Sequence, residues 1–204
     1  MTLRLNGSTS GYTEIDAPAV AGSNTITLPT GAGSAYQVVR NGATAGSPEF
    51  TDKIVSGTAV ASTSGTAIDF TGIPSWVKRV TVMFNGVSTN GSSQGLIQLG
   101  SGSFTTSGYT SQWVLTGIGT SNGTVSTGLS WFHGSAGEQK IGHLVITNVS
   151  GNLWVCSGVL RVDSGYMSSQ AGSITLSGTL DRVRITTVNG TDTFDAGSIN
   201  ILYE

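Results

Sequence analysis

Between Arg79 and Phe84, apolar and polar side chains take turns. Val80, Val82 and Phe84 fall on one side and Arg79, Thr81 and Met83 on the other. A period of two is that of a β-strand with one buried face. The segment Gly72-Ile73-Pro74-Ser75 leads into it, and Pro74 fixes its own φ while biasing Ile73 toward an extended conformation. Asn85-Gly86 fits either a tight turn or a bulge. Leu96-Ile97-Gln98-Leu99 reads as the returning strand, which favours the bulge and moves the turn to Thr89 through Ser93. Further strands are expected from Tyr109 to Ile118, Gly123 to His133, Lys140 to Val149, Asn152 to Asp163, Gly172 to Leu176, Asp181 to Val188 and Gly197 to Tyr203. Glycine-rich corners such as Gly134 to Gln139 and Ser150-Gly151 separate them. No window has the three-and-four apolar spacing of a helix; Ile73 to Val77 allows one turn of 3₁₀ at most. About ten short strands with such corners predict an all-β fold, an antiparallel jelly-roll-like β-sandwich over residues 54–204.

Residues 1–53 read differently, as an extended N-terminal β segment. Apolar positions come in brief alternations: Leu3 and Leu5, Tyr12 and Ile15, Ile26 and Leu28, with Tyr36, Val38 and Val39 later. Too few apolar side chains face one another to offset backbone ordering at roughly 1–2 kcal/mol per residue. Alone, the segment is expected to be disordered. Three identical copies winding together would bury Leu3, Leu5, Ile15, Ile26 and Leu28 against each other and give edge strands a partner. These five residues are therefore the expected trimer-contact and attachment positions.

Composition sharpens this expectation. Charged residues make up only 10% of the 204, Gly accounts for 30, and Ser with Thr for roughly a quarter. So few charges call for hydroxyls over the surface or for partner chains over its faces. The net charge of -2 and the lack of a basic stripe exclude a nucleic-acid footprint. No apolar run approaches the roughly 20 residues of a membrane-spanning helix. The sequence Met1-Thr2-Leu3-Arg4-Leu5-Asn6 lacks the apolar core of a signal peptide, so synthesis in a cytoplasm is expected. The single cysteine, Cys156, excludes an intrachain disulfide and reads as a buried thiol.

Three stretches resemble a known family. The phrase from Thr63 to Gln98 resembles the start of the C-terminal β-sandwich domain in tail-fibre proteins of tailed bacteriophages, cyanophages among them. Ala196-Gly197-Ser198-Ile199-Asn200-Ile201-Leu202-Tyr203-Glu204 resembles that domain's final strand. The wording Leu5-Asn6-Gly7-Ser8-Thr9-Ser10-Gly11-Tyr12, continuing through Leu28-Pro29-Thr30, resembles tail-protein segments that precede a fibre head. Residues 101–180 share only the composition. The resemblance implies a virion structural protein located in the tail and made in the host cytoplasm. It implies a homotrimer anchored to a baseplate or tail protein by residues 1–53, with the head at 54–204 adsorbing to lipopolysaccharide or another host-surface glycan. The alternatives are a baseplate or capsid decoration protein without a receptor, a surface-polysaccharide depolymerase, and a bacterial lectin-like module.

Candidate chemistry is sparse. His133 and His143, the two histidines, flank a turn, but no further ligands stand at matching spacing, so no metal or cofactor is expected. Asp163, Asp181, Asp192 and Asp195 lack the alternating spacing of a calcium loop and read as turn caps. Glu14, Glu49, Glu138 and Glu204 form no marked pair with each other or with an Asp for glycoside cleavage, and no nucleophile elbow is present, so no catalytic residue is assigned. Arg182 and Arg184 share a strand face and read as solvated or intersubunit cations. Aromatic rings stack on sugars. Tyr109, Trp113, Trp131 and His133, set among Ser, Thr and Gln, are therefore the candidate glycan-binding residues, while Trp76 and Trp154 read as core.

Overall fold

The computed structural model describes residues 3–15, 25, 27, 38–41, 48–51, 54–117, 119–162 and 165–204. Backbone contacts divide the chain into two units, Met1–Lys53 and Ile54–Glu204. All strand pairing is antiparallel, and no helix occurs among the described residues.

The described parts of the first unit are two hairpins. In one, β1 (Leu3–Asn6) pairs with β2 (Tyr12–Ile15), setting Leu3 opposite Ile15 and Arg4 opposite Glu14. Gly11 takes a positive φ at its turn, where the Gly7 amide donates to the Gly11 carbonyl. Arg4 donates to Glu14 across the strands and lies 4.0 Å over the Tyr12 ring. In the other, β3 (Val38–Asn41) pairs with β4 (Pro48–Thr51). Leu5, Tyr12 and Val39 are each more than half exposed, so these hairpins have apolar side chains with nothing of their own to bury them. Ile26 and Leu28 lie outside the described residues.

The second unit runs through β5 (Val55–Ser56), β6 (Val60–Ala61), β7 (Ile68–Thr71), β8 (Arg79–Thr89), β9 (Gly95–Ser101), β10 (Ser103–Phe104) and β11 (Thr110–Gly117). It continues with β12 (Gly119–Val125), β13 (Leu129–Trp131), β14 (Lys140–Ser150), β15 (Leu153–Val162), β16 (Tyr166–Thr175), β17 (Arg182–Thr187) and β18 (Phe194–Tyr203). One sheet has nine strands in the order β12-β11-β16-β15-β14-β8-β18-β5, with β6 also on β18; the other has five, β10-β9-β17-β7, with β13 on β9. The result is the all-β antiparallel sandwich that the spacing predicts. The chain alternates between sheets at β7-β8-β9 and again at β16-β17-β18, and meanders within one sheet through β14, β15 and β16.

Alternation explains the core. Val80, Val82 and Phe84 of β8 meet Ile199 and Ile201 of β18 and Leu144 and Ile146 of β14, facing Ile97, Leu99, Val183 and Ile185 of the other sheet. Each such side chain contributes about 1.5–3 kcal/mol on burial. Asn85-Gly86 is a bulge, as the sequence favours. Lys140 pairs with Val87 and Ile141 with Asn85, so β14 skips Gly86. On the other side Ala196 pairs with Ser88 and Ser198 with Asn85. The extra residue shifts the phase of β8, so Val87 is buried although it is an odd number of positions from Phe84.

Two expected strands differ. The run from Gly123 to His133 breaks at Ser126 to Gly128, because the chain there leaves the nine-stranded sheet for the edge of β9. The Ser126 carbonyl accepts from Tyr109 N and the Thr127 carbonyl from Gln98 Nε2, which fixes the corner. β16 begins at Tyr166, well before Gly172. Its buried positions there are Ser168 and Gln170, and polar side chains facing inward hide a strand from a hydrophobic pattern.

Candidate functional site

A groove of about 580 Å³ opens on the nine-stranded sheet where β12, β11 and β16 lie side by side. Cross-strand register builds it. Gln112 stands opposite Thr124 on β12 and opposite Ala171 on β16, and Thr110 stands opposite Ser173. The neighbouring positions Ser111 and Trp113 point inward and are buried, which turns Thr110 and Gln112 outward. Ser126 closes one end, and Tyr109, Ser111, Val125 and Gly172 complete the lining. Ala171 is the low point: it lies between Gln112 and Ser157 in the register and reaches little beyond the backbone. None of the lining residues carries a charge. Hydroxyls and a carboxamide both donate and accept hydrogen bonds, so the surface is matched to a ligand that does the same.

Tyr109 supports the groove from below. Its hydroxyl accepts from Leu99 N at 2.8 Å and donates to the Thr105 carbonyl at 3.0 Å. Burial pushes its pKa up to about 12, so it stays a neutral phenol. Beneath β12, Trp113 packs on Phe132 with ring centroids 4.9 Å apart, and a side chain at Gly123 would run into its indole.

This placement corrects the expected glycan-binding set. Tyr109, Trp113, Trp131 and His133 are 4%, 7%, 0% and 0% exposed. Stacking on a sugar requires an open ring face, and none of the four has one. Trp131 is packed against Gly95 and Phe84. Of the four, Tyr109 alone lines the groove, as a buried support; the other lining residues escape a sequence reading because Ser, Thr and Gln in a Ser/Thr-rich chain look like ordinary solvated positions. Their one signal is the period of two at Thr110 and Gln112 and again at Thr124 and Ser126.

His133 belongs to a second cluster, in which the loops after β8, after β13 and before β18 are tied together. Its Nε2 lies 2.9 Å from Thr89 Oγ1 and 3.1 Å from the Gly91 carbonyl. Its backbone amide donates to Gln94 Oε1, and its carbonyl accepts from Gln94 Nε2. Lys140, fully buried, places Nζ 3.0 Å from Glu138 Oε2 and 3.4 Å from His133 Nδ1. Burial and the Lys140 charge push the His133 pKa below its ordinary value, against the pull of the Gly91 carbonyl, Glu138 and Asp192. No pattern in the sequence marks Lys140 as a lysine without exposure. His143, by contrast, is exposed and lines a separate groove of about 250 Å³ with Arg79 and Glu204, which pair with each other.

The acidic side chains serve structure. Asp192 accepts from Ser93 N and Asn189 Nδ2, and those bonds hold its pKa below the usual carboxylate value. Asp195 accepts from Ser88 Oγ, and Asp181 pairs with Arg182. Asp69 accepts from Arg184 Nε and Nη2, each at 2.8 Å, and Arg184 lies 4.1 Å over Phe104. The two arginines thus have partners within their own chain. Asp163 lies outside the described residues. Among the described residues no three His, Cys, Asp or Glu side chains group as a metal site would need.

No protein-family model, curated protein or solved structure matches this chain.

Proposed function

We propose that this chain is an attachment protein of a bacteriophage tail: a short fibre whose head, residues 54–204, adsorbs to a host-surface glycan and whose residues 1–53 join it to the tail or baseplate. The observation that carries the reading is the uncharged, hydroxyl- and amide-lined groove over β11, β12 and β16. Such a surface exchanges hydrogen bonds with a polyhydroxylated ligand without desolvating a charge. The proposal is for a binder without turnover. No carboxylate lines the groove, and the described aspartates are held by arginines, hydroxyls, amides and backbone N–H groups.

Assembly as a homotrimer goes with this reading. Leu5, Tyr12, Val38 and Val39 stand exposed on hairpins that do not bury them, and identical copies would cover them. Binding by one head would be weak, and many copies on one particle would raise it by making later encounters intramolecular.

The test is adsorption. Fluorescently labelled full-length protein should decorate host cells, and extracted surface polysaccharide should compete it off. Antibodies against it should label the tails of purified virions. Failure to bind any candidate host, together with absence from virions, would overturn the reading.

A further inference from the structure

We propose that the groove over β11, β12 and β16 takes a neutral saccharide chain, recognised by hydrogen bonding alone, in preference to an anionic glycan or a phosphorylated headgroup. The inference rests on the attachment reading and narrows its ligand class.

Charge gives the first argument. An anionic ligand entering this groove would give up hydration with no cation in the lining to receive it. The arginines of the five-stranded sheet are committed to Asp69 and Asp181. Lys140 is buried against Glu138. A neutral polyol meets no such penalty.

Shape gives the second. The volume of about 580 Å³ falls within the range of small-ligand clefts. Its floor at Ala171 is flanked in register by Gln112 and Ser157, with Thr124 beyond Gln112, so hydroxyl and amide groups stand in a row across neighbouring strands. A row at strand spacing matches a chain of repeating hydroxylated units better than a single small molecule. The aromatic platform common in sugar sites is absent from this lining apart from the buried Tyr109, so each residue contributes little and extended ligands gain most.

The experiment uses the full chain and a panel of purified polysaccharides: neutral glucan, mannan and galactan, neutral O-antigen chains, and polygalacturonate as the anionic arm. Binding is read by saturation-transfer NMR and affinity electrophoresis at low and high salt. The expected result is binding to at least one neutral polysaccharide, unchanged by salt, since no charge pair is there to be screened. Ala171→Trp fills the floor and should abolish binding while leaving the melting temperature unchanged, because Ala171 is exposed. Gln112→Ala should weaken binding roughly three- to tenfold. Binding confined to polygalacturonate, binding weakened by salt, no binding to any neutral member, or neutral binding untouched by Ala171→Trp would each overturn the assignment. Whole-cell adsorption by the same protein is the separate readout. If cells still bind Ala171→Trp, the attachment reading stands and the groove assignment falls; if native protein binds no cells and is absent from virions, the attachment reading itself fails.

Discussion

His133 Nδ1 lies 3.4 Å from the ammonium of Lys140, and neither side chain reaches solvent. The Gly91 carbonyl can only accept, so Nε2 carries the imidazole proton and Nδ1 accepts from Lys140. A second proton would have to sit on Nδ1, facing that ammonium. Glu138 and Asp192 offset part of this cost, and the pKa remains below its ordinary value.

The pH dependence follows with a definite sign. In the unfolded chain His133 titrates near 6.5; in the folded chain it titrates lower. Below about pH 6.5 the unfolded state therefore holds more protons, and stability falls as pH drops toward the folded-state value. Each pH unit within that window costs up to about 1.4 kcal/mol, or about 3–6 °C of melting temperature for a domain of this size. Thermal melts at about pH 7.5 and about pH 5.5 should differ accordingly, and His133→Gln should flatten the difference. An unchanged pH dependence in that variant would refute this account.

Lys140 and Glu138 should behave as a pair. Replacing Lys140 by Met leaves the Glu138 carboxylate, whose side chain is only 12% exposed, without its cation. Breaking a buried pair from one side costs about 3–5 kcal/mol, whereas removing both charges is often close to neutral. Denaturant unfolding should show Lys140→Met strongly destabilised and Lys140→Met/Glu138→Gln substantially recovered. Additive effects would show that the two charges are not coupled.

What the sequence made legible, and what it hid, divides by whether hydrophobic side chains report the geometry. β8 was readable because Val80, Val82 and Phe84 face the core in strict alternation. The bulge was readable because Leu96 to Leu99 supplied a better returning strand than an immediate hairpin. β16 was hidden because its inward positions near Tyr166 are Ser168 and Gln170. The aromatic candidates misled for a related reason. Trp113 and Trp131 lie in Ser/Thr-rich text that resembles surface, but Gly123 and Gly95 leave the space their indoles occupy. The groove rests on pairing between strands far apart in sequence, and no local pattern encodes it.

The two glycines of the bulge should respond unequally to the same substitution. Gly86 and Gly197 both have positive φ, at 68° and 87°. A Cβ on Gly86 would meet only Gln139 Oε1 at 3.6 Å and the Gly197 Cα at 4.0 Å. A Cβ on Gly197 would overlap the Gly86 carbonyl. Gly86→Ala should cost roughly 1–2 kcal/mol, the left-handed penalty alone, and Gly197→Ala clearly more. Equal losses in urea titrations would contradict the close approach of the two backbones.

Cys156 should be silent in the native protein. It is 5% exposed, and burial pushes its pKa up to about 12, so little thiolate forms near neutrality. A thiol reagent should modify it only as fast as the sandwich unfolds, and its rate should rise in parallel with denaturant-induced opening. Rapid labelling under native conditions would place this thiol outside the core.

Trp131 tests the corrected role of the aromatic residues most directly. Its ring is fully buried beside Phe84, at a centroid distance of 5.4 Å, and Gly95 lies against its face. As a core residue, Trp131→Ala should cost about 3–5 kcal/mol, and Trp131→Phe less. Gly95→Ala should also destabilise, by about 1–3 kcal/mol, because the added methyl forces the indole from its place. A glycan-stacking residue would show the opposite profile, with stability kept and adsorption lost. Cell adsorption measured on folded Trp131→Phe should therefore match the native protein. Loss of adsorption in that variant, with its melting temperature retained, would return Trp131 to the binding surface.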